Sequence, residues 1–202
     1  FLLFLALLLP FPLLLFVALV RDLLVRCRWA SSRAILYFLL FLTFEVCGVC
    51  ALTLGWMRYR SREKLLAHTA KVQRFWAWML YRGMIRIFAM RVDLEGEEHI
   101  LEGPLLVFVR HVSVGDAIIP SGLILVPHRI LLRYVMKEEL LWDPCLDIAG
   151  NRLPNLFIRR ETEQRDNNLA GIVALAQGLE KRDGLVFYPE GTRYTPQKFE
   201  RL

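Results

Sequence analysis

The sequence predicts an α/β domain, a mixed sheet flanked by helices, preceded by an N-terminal membrane-embedded helical region. Two observations predict it. From Arg91 onward, short apolar runs alternate with longer helical patterns, as strands and helices do in α/β chains. Before Arg91, two long apolar stretches, residues 1–20 and 34–57, hold much of the chain's 55% hydrophobic content. The 202 residues suit one compact domain and an appendage.

Residues 1–20 carry no charge and match the roughly 20 apolar residues that cross a bilayer. Pro10 and Pro12 are expected to kink or break that helix. The run is long for a signal peptide and lacks a clear small-residue cleavage site. Because the chain opens on Phe1 rather than Met, a fragment is expected. Arg21, Arg26, Arg28 and Arg33 make the following loop basic. The second apolar segment, 34–57, has one charge, Glu45. An ionisable group at mid-membrane is costly and finds a partner. Either Glu45 meets the other helix or a substrate head group, or it stands nearer the interface than its count suggests. Cys47 and Cys50 form a C-x-x-C with no second ligand pair, which predicts small-residue packing rather than metal or redox chemistry.

Residues 58–90 change character. Arg58, Arg60, Arg62, Lys64, Lys71, Arg74, Arg82 and Arg86 accompany Leu65, Leu66, Val72, Phe75, Trp76, Met79 and Leu80 at helical spacing. A basic amphipathic helix with tryptophans suits a membrane interface. The formal net charge of +6 beside long apolar segments points to anionic lipid before nucleic acid, and no groove-reading motif accompanies it. Both flanks of the second segment are basic, so a simple hairpin leaves one basic loop on the wrong side. The larger cluster follows that segment and places the main domain on the cytoplasmic face. A monotopic helix pair removes the conflict.

The α/β domain is expected over 91–202, with strands at 92–94, 105–109, 130–136, 156–158 and 185–188. Helices are expected at 116–125, 137–142 and 165–181. Glu95, Glu97, Glu98 and His99 lack ligand spacing and read as a solvated loop.

Three stretches carry chemistry. The first, 105–116, is an apolar strand ending in Arg110-His111, with Asp116 five residues after the histidine. On one straight helix, residues five apart lie about 140° from each other. The pair meets only if the chain turns, which Gly115 permits. Ser113, Gly115 and Asp116 read as a turn and the cap of a helix starting near Ala117. A carboxylate bonded to one imidazole nitrogen leaves the other free as a base. On spacing alone, a polar strand end with a capped helix is the favoured reading of the pair over catalysis. The second stretch is Leu156-Phe157-Ile158-Arg159-Arg160, and the third ends in Tyr188-Pro189-Glu190-Gly191-Thr192-Arg193. Strand ends of one sheet would gather His111, Arg160 and Arg193 at one edge. Arginine forks and a glycine turn suit phosphate.

In this order the blocks resemble the glycerolipid acyltransferase family typified by 1-acylglycerol-3-phosphate acyltransferase. Its His-x-x-x-x-Asp motif, Phe-Ile-x-Arg-like block and Glu-Gly-Thr-Arg block correspond to 111–116, 157–160 and 190–193. Gly103-Pro104, Lys137-Glu138-Glu139-Leu140 and Pro144 also fit. The chain departs from the family at Arg110, where asparagine is usual, and at Arg159, where aspartate is usual. An extra positive charge at each place would lower the basicity of His111 or alter head-group choice. The family's fourth block, an apolar strand with a proline, does not occur before Leu202, so the domain is expected to be truncated at its C-terminus.

The resemblance implies acyl transfer from acyl-CoA or acyl carrier protein to the hydroxyl of a lysophospholipid, above all 1-acylglycerol 3-phosphate, giving phosphatidic acid in phospholipid biosynthesis. It implies His111 as general base, Asp116 as its brace, and Arg160, Glu190, Gly191, Thr192 and Arg193 as the holders of the acceptor's phosphate. Backbone N–H groups near Gly191 or at the helix start would take the oxyanion. The resemblance calls for no metal and no cofactor beyond the acyl donor. Its partners are membrane lipids, the lysophospholipid and the donor. Two competing readings are a different acceptor, such as glycerol 3-phosphate or another lysolipid, and a non-catalytic lipid-binding module of the same fold.

Overall fold

The computed structural model describes residues 10–26, 28–110, 112–159 and 165–189. Three long helices come first: α1 (Phe11–Val25), α2 (Ala30–Arg58) and α3 (Arg62–Phe88). Then follow β1 (Leu105–Phe108), β2 (Leu131–Lys137), α4 (Pro144–Arg152), β3 (Leu156–Ile158), α5 (Arg165–Gln177) and β4 (Asp183–Phe187). The sheet runs β1-β4-β2-β3, and each pairing is parallel. The expected α/β sheet with flanking helices is therefore present. Its core is Leu125, Ile130, Leu132, Tyr134 and Val186, with Leu105, Val107, Met136 and Tyr188 packed against them.

Several local expectations are corrected. Helix α1 begins at the two prolines: Pro10 is the N-cap residue and Pro12 lies in the first turn, where a missing N–H breaks no helical bond, and the stretch before Pro10 lies outside the described residues. The helix continues past residue 20 to Val25. In that added turn, Asp22 accepts from Ser31 N (3.1 Å), Ser32 N (2.8 Å) and Ser32 Oγ (2.7 Å). The first turn of α2 is thus capped from the neighbouring helix. Residues 92–94 form no strand; Val92 and Leu94 are exposed. Lys137 closes β2, and Glu138–Trp142 is a 3-10 turn. The helix expected at 116–125 is divided into a 3-10 turn, Val114–Ala117, and a π turn, Ser121–Leu125, followed by one α turn, Val126–His128. The π turn approaches α3 closely, since a Cβ on Gly122 would stand 2.2 Å from the Tyr81 ring.

Helix α4 was not expected, because Pro144, Gly150 and Asn151 are poor helix formers. Its start is made by capping. Asp143 accepts from Leu146 N (2.8 Å), and Pro144 occupies the first helical position. A second orphan donor, Cys145 N, bonds Glu45 Oε1 at 2.6 Å. Among the described residues, Glu45 thus meets the backbone N–H of Cys145 on α4. It closes the amino end of α4 as a hydrogen-bond acceptor, while burial and the neighbouring Asp143 carboxyl raise its own carboxyl well above the usual glutamate range. At the other end of α4, Arg152 Nη1 donates to Leu52 O (3.2 Å). Glu45, Gly48, Val49 and Leu52 recur at helical spacing and form the docking stripe of α2. A Cβ on Gly48 would stand 2.6 Å from Cys145 Sγ, so glycine permits the approach. Cys47 and Cys50 are exposed and free, so Gly48 performs the small-residue packing expected of them. Burial, with the Glu45 and Asp143 carboxylates nearby, pushes the Cys145 thiol up to about 12.

Helix α5 ends at Gln177, short of the expected residue 181. Arg133 on β2 donates to the carbonyls of Leu175 (3.1 Å) and Gly178 and pairs with Asp183. The cation thus ties the carboxyl end of α5 to the start of β4.

Candidate active site

Because the strands are parallel, the three chemistry-bearing stretches leave the same edge of the sheet. Phe108 pairs with Phe187, and Val109 N extends the ladder by donating to Phe187 O (2.8 Å). The chain toward His111 and the chain toward Glu190 therefore depart from neighbouring strands. Ile158 pairs with Lys137, so the chain toward Arg160 leaves β3, beyond β2. Two strand spacings, about 10 Å, separate β3 from β4. His111, Arg160, Glu190, Gly191, Thr192 and Arg193 lie outside the described residues; the described chain places the strand ends from which they leave.

Asp116 is described, and its geometry is specific. Its Oδ2 accepts from Val112 N and Ser113 N, each at 2.6 Å. Ser113 Oγ donates to Oδ1 at 3.0 Å. Ser113 also accepts from the Asp116 N–H, completing a reciprocal capping box on the 3-10 turn Val114–Ala117. The expected cap before Ala117 is therefore real, and it begins at Ser113. Asp116 closes the turn that runs from Val112 to Ala117. The N–H groups of Val112, Ser113 and Asp116 are committed to this loop.

The loop rests on α3. A Cβ on Gly115 would stand 2.8 Å from Met84 Sδ, while the Gly115 backbone has no left-handed φ. Gly115 lies in the expected turn, and there glycine supplies room rather than a left-handed φ. Tyr188, just past β4, packs against the sheet core. Burial, and then the Asp116 carboxylate nearby, push its phenol up to about 12, so it stays protonated at neutral pH. Tyr134, further inside, shares a 2.7 Å hydrogen bond with Ser121 Oγ, and burial raises its phenol as well. Sequence reasoning missed Tyr188 and Met84, because neither belongs to a local pattern of the loop they face.

Arg159 makes a two-pronged ion pair with Glu138 at the end of β2, with Nη2 to Oε1 at 2.7 Å. Asn168 of α5 donates to the Arg159 carbonyl (2.8 Å). The additional positive charge at this family position is thus matched by a carboxylate, and the pair ties β3 to β2 just before Arg160. The hydrogen bond from Arg159 holds the Glu138 carboxyl below the usual glutamate range. A depressed carboxyl contributes stability above its unfolded value, and that contribution is lost as pH falls through the folded one. Glu138→Gln is therefore expected to lower the thermal midpoint slightly at pH 7. The difference should vanish in acid, since exposed ion pairs contribute little. Thermal scans at the two pH values check this; an equal difference at both would remove the pair from the explanation.

Residues 91–201 match a family model described as Acyltransferase. No curated protein and no solved structure matches the chain.

Proposed function

The chain belongs to the acyltransferase family, and from that premise we propose that it moves an acyl group from an acyl thioester to the hydroxyl of a membrane lysophospholipid, above all 1-acylglycerol 3-phosphate. One observation carries the reading. The loop folded by Asp116 and the chain leading to Glu190–Arg193 leave adjacent parallel strands at one sheet edge.

In this mechanism His111 takes the proton of the acceptor hydroxyl as the oxygen attacks the thioester carbonyl. The tetrahedral intermediate collapses, the carbon–sulfur bond breaks, and the leaving thiolate recovers the proton from the imidazolium. Asp116 braces the imidazole through the loop it closes. Arg160 and Arg193, with Glu190, Gly191 and Thr192, hold the acceptor's phosphate. Backbone N–H groups near Gly191 or at the turn Val114–Ala117 take the oxyanion. The acyl donor is acyl-CoA or acyl carrier protein. The apolar helices and basic α3 hold the enzyme at a membrane, with the α/β domain on the cytoplasmic face.

Thioester release with lysophosphatidic acid tests the reading. His111→Ala is expected to lower the rate by about 10²–10⁴-fold, the usual contribution of a positioned base. Equal rates for wild type and variant would remove the proposal. Turnover of glycerol 3-phosphate without turnover of lysophosphatidic acid would replace the acceptor.

A further inference from the structure

Strand β3 has three residues and stands at the edge of the described sheet, with β2 as its neighbour. Its ladder ends at the pair Lys137–Ile158, so Arg159 is the first residue past it. Strands usually run about 3–10 residues, and one this short has few ladder bonds to set the direction of the departing chain. Side chains set it instead. Toward β2, the Arg159 guanidinium meets Glu138 with two hydrogen bonds, Nη2 to Oε1 at 2.7 Å and Nε to Oε2. A planar fork on a carboxylate fixes orientation as well as position.

Toward α5, the Arg159 carbonyl accepts from Asn168 Nδ2 (2.8 Å), in the first turn of that helix. Helix α5 is itself held on the sheet. Gly171 brings it against β3, where a Cβ would stand 3.1 Å from the Leu156 side chain, and Arg133 grips its carboxyl end. The short connection from β3 to α5 is thus anchored at both ends, and Arg159 is tied by its side chain and its carbonyl at once. The Glu138–Arg159 pair is this chain's own device. Aspartate, the residue usual in the family at position 159, would meet Glu138 with like charge.

In the acyl-transfer reading, Arg160 holds the acceptor's phosphate. An arginine whose backbone is already fixed loses less freedom when the ligand arrives, and a two-pronged grip on phosphate tolerates little misplacement. We propose that Arg159, braced by Glu138 and Asn168, is a positioning residue for the acceptor's phosphate and acts through the arginine that follows it. The inference rests on that reading and deepens it: affinity for the acceptor, and not for the acyl donor, depends on an ion pair at the foot of the phosphate-binding chain.

Thioester release by the full chain, in mixed micelles of detergent and lysophosphatidic acid, tests it. The variants are Arg159→Glu, Glu138→Arg and the two combined, with thermal midpoints to show that each folds. Each single variant is expected to raise KM for lysophosphatidic acid about 3–10-fold, the range that corresponds to ordering one long side chain, with kcat and KM for the acyl donor within about 2-fold of wild type. The combined variant rebuilds the pair in reverse and is expected to recover most of the loss. Charge alone predicts a different pattern. Glu138→Arg adds positive charge and would lower KM for an anionic acceptor, while Arg159→Glu would raise it. Opposite shifts in the two single variants overturn the proposal, as does a lowered thermal midpoint with KM unchanged. Asn168→Ala removes the tie to the carbonyl and leaves the ion pair; it is expected to raise the same KM by a smaller factor, and it stands in for a charge-reversed variant that does not fold. If the wild type releases no thioester with lysophosphatidic acid, the acyl-transfer reading falls and the proposal with it. Wild-type turnover with an unchanged KM in every variant overturns the proposal alone.

Discussion

Asp116→Asn is expected to lower acyl transfer by about 10³–10⁴-fold while leaving the loop folded, and Asp116→Ala to lose both activity and loop. The comparison for the first figure is a triad aspartate, where replacement by asparagine leaves the geometry and removes the brace. The geometry here explains why the two variants should differ. One carboxylate oxygen accepts from Val112 N and Ser113 N, and the other accepts from Ser113 Oγ. An asparagine carbonyl can keep the two N–H bonds, and its amide can donate to the Ser113 hydroxyl. What it cannot supply is negative charge beside a developing imidazolium. Alanine leaves the N–H groups without their side-chain acceptor, which at helix caps costs about 0.5–2 kcal/mol. Protease sensitivity near residue 113 should therefore rise for alanine alone, while thioester release falls for both. Asparagine with wild-type turnover would remove Asp116 from the chemistry and leave it only a loop-capping role.

Glu45→Ala is expected to destabilise the docking of the α/β domain on α2 by about 1–3 kcal/mol, the cost of stranding a buried donor. Cys145 N has Glu45 Oε1 as its partner, and both residues are buried. Glu45→Gln keeps an acceptor oxygen and should lie between wild type and alanine. Thermal unfolding in detergent reads this out. The alanine shift should be a few degrees, since about 1 kcal/mol moves the midpoint by roughly 2–4 °C in a chain of this size. Identical midpoints for all three proteins would mean that α4 is held by Leu52, Ala149 and Cys145 packing alone.

Much of the α/β order is legible in the sequence. The runs at 105–109, 130–136, 156–158 and 185–188 became β1, β2, β3 and β4 with small shifts of boundary. Each is a short apolar run between turn residues, and a strand buried in a parallel sheet requires such a run. The failures share a cause. Residues 92–94 had the composition of a strand but found no partner in the described sheet. The 116–125 pattern was helical in period, yet the chain there forms tighter and wider turns, with Gly122 and Gly115 lying close against Tyr81 and Met84 of α3. Helix α4 had weak local propensity and was formed by Asp143 from within and Glu45 from without. The Ser113 cap was readable because a capping box is a four-residue signal; the contribution of Tyr188 was not, because β4 lies beside β1 only in the folded sheet.

By itself the sequence determined the apolar segments, the basic helix, the strands and the order of the three blocks. Those features rest on periodicity, charge spacing and turns within a few residues. Only the tertiary structure decided that β4 lies next to β1, that Glu45 caps a helix 100 residues away, and that α2 is flanked by α3 and the domain. Such pairings join groups that are distant in the chain, and their hydrogen bonds and packing exist only after the chain has closed on itself.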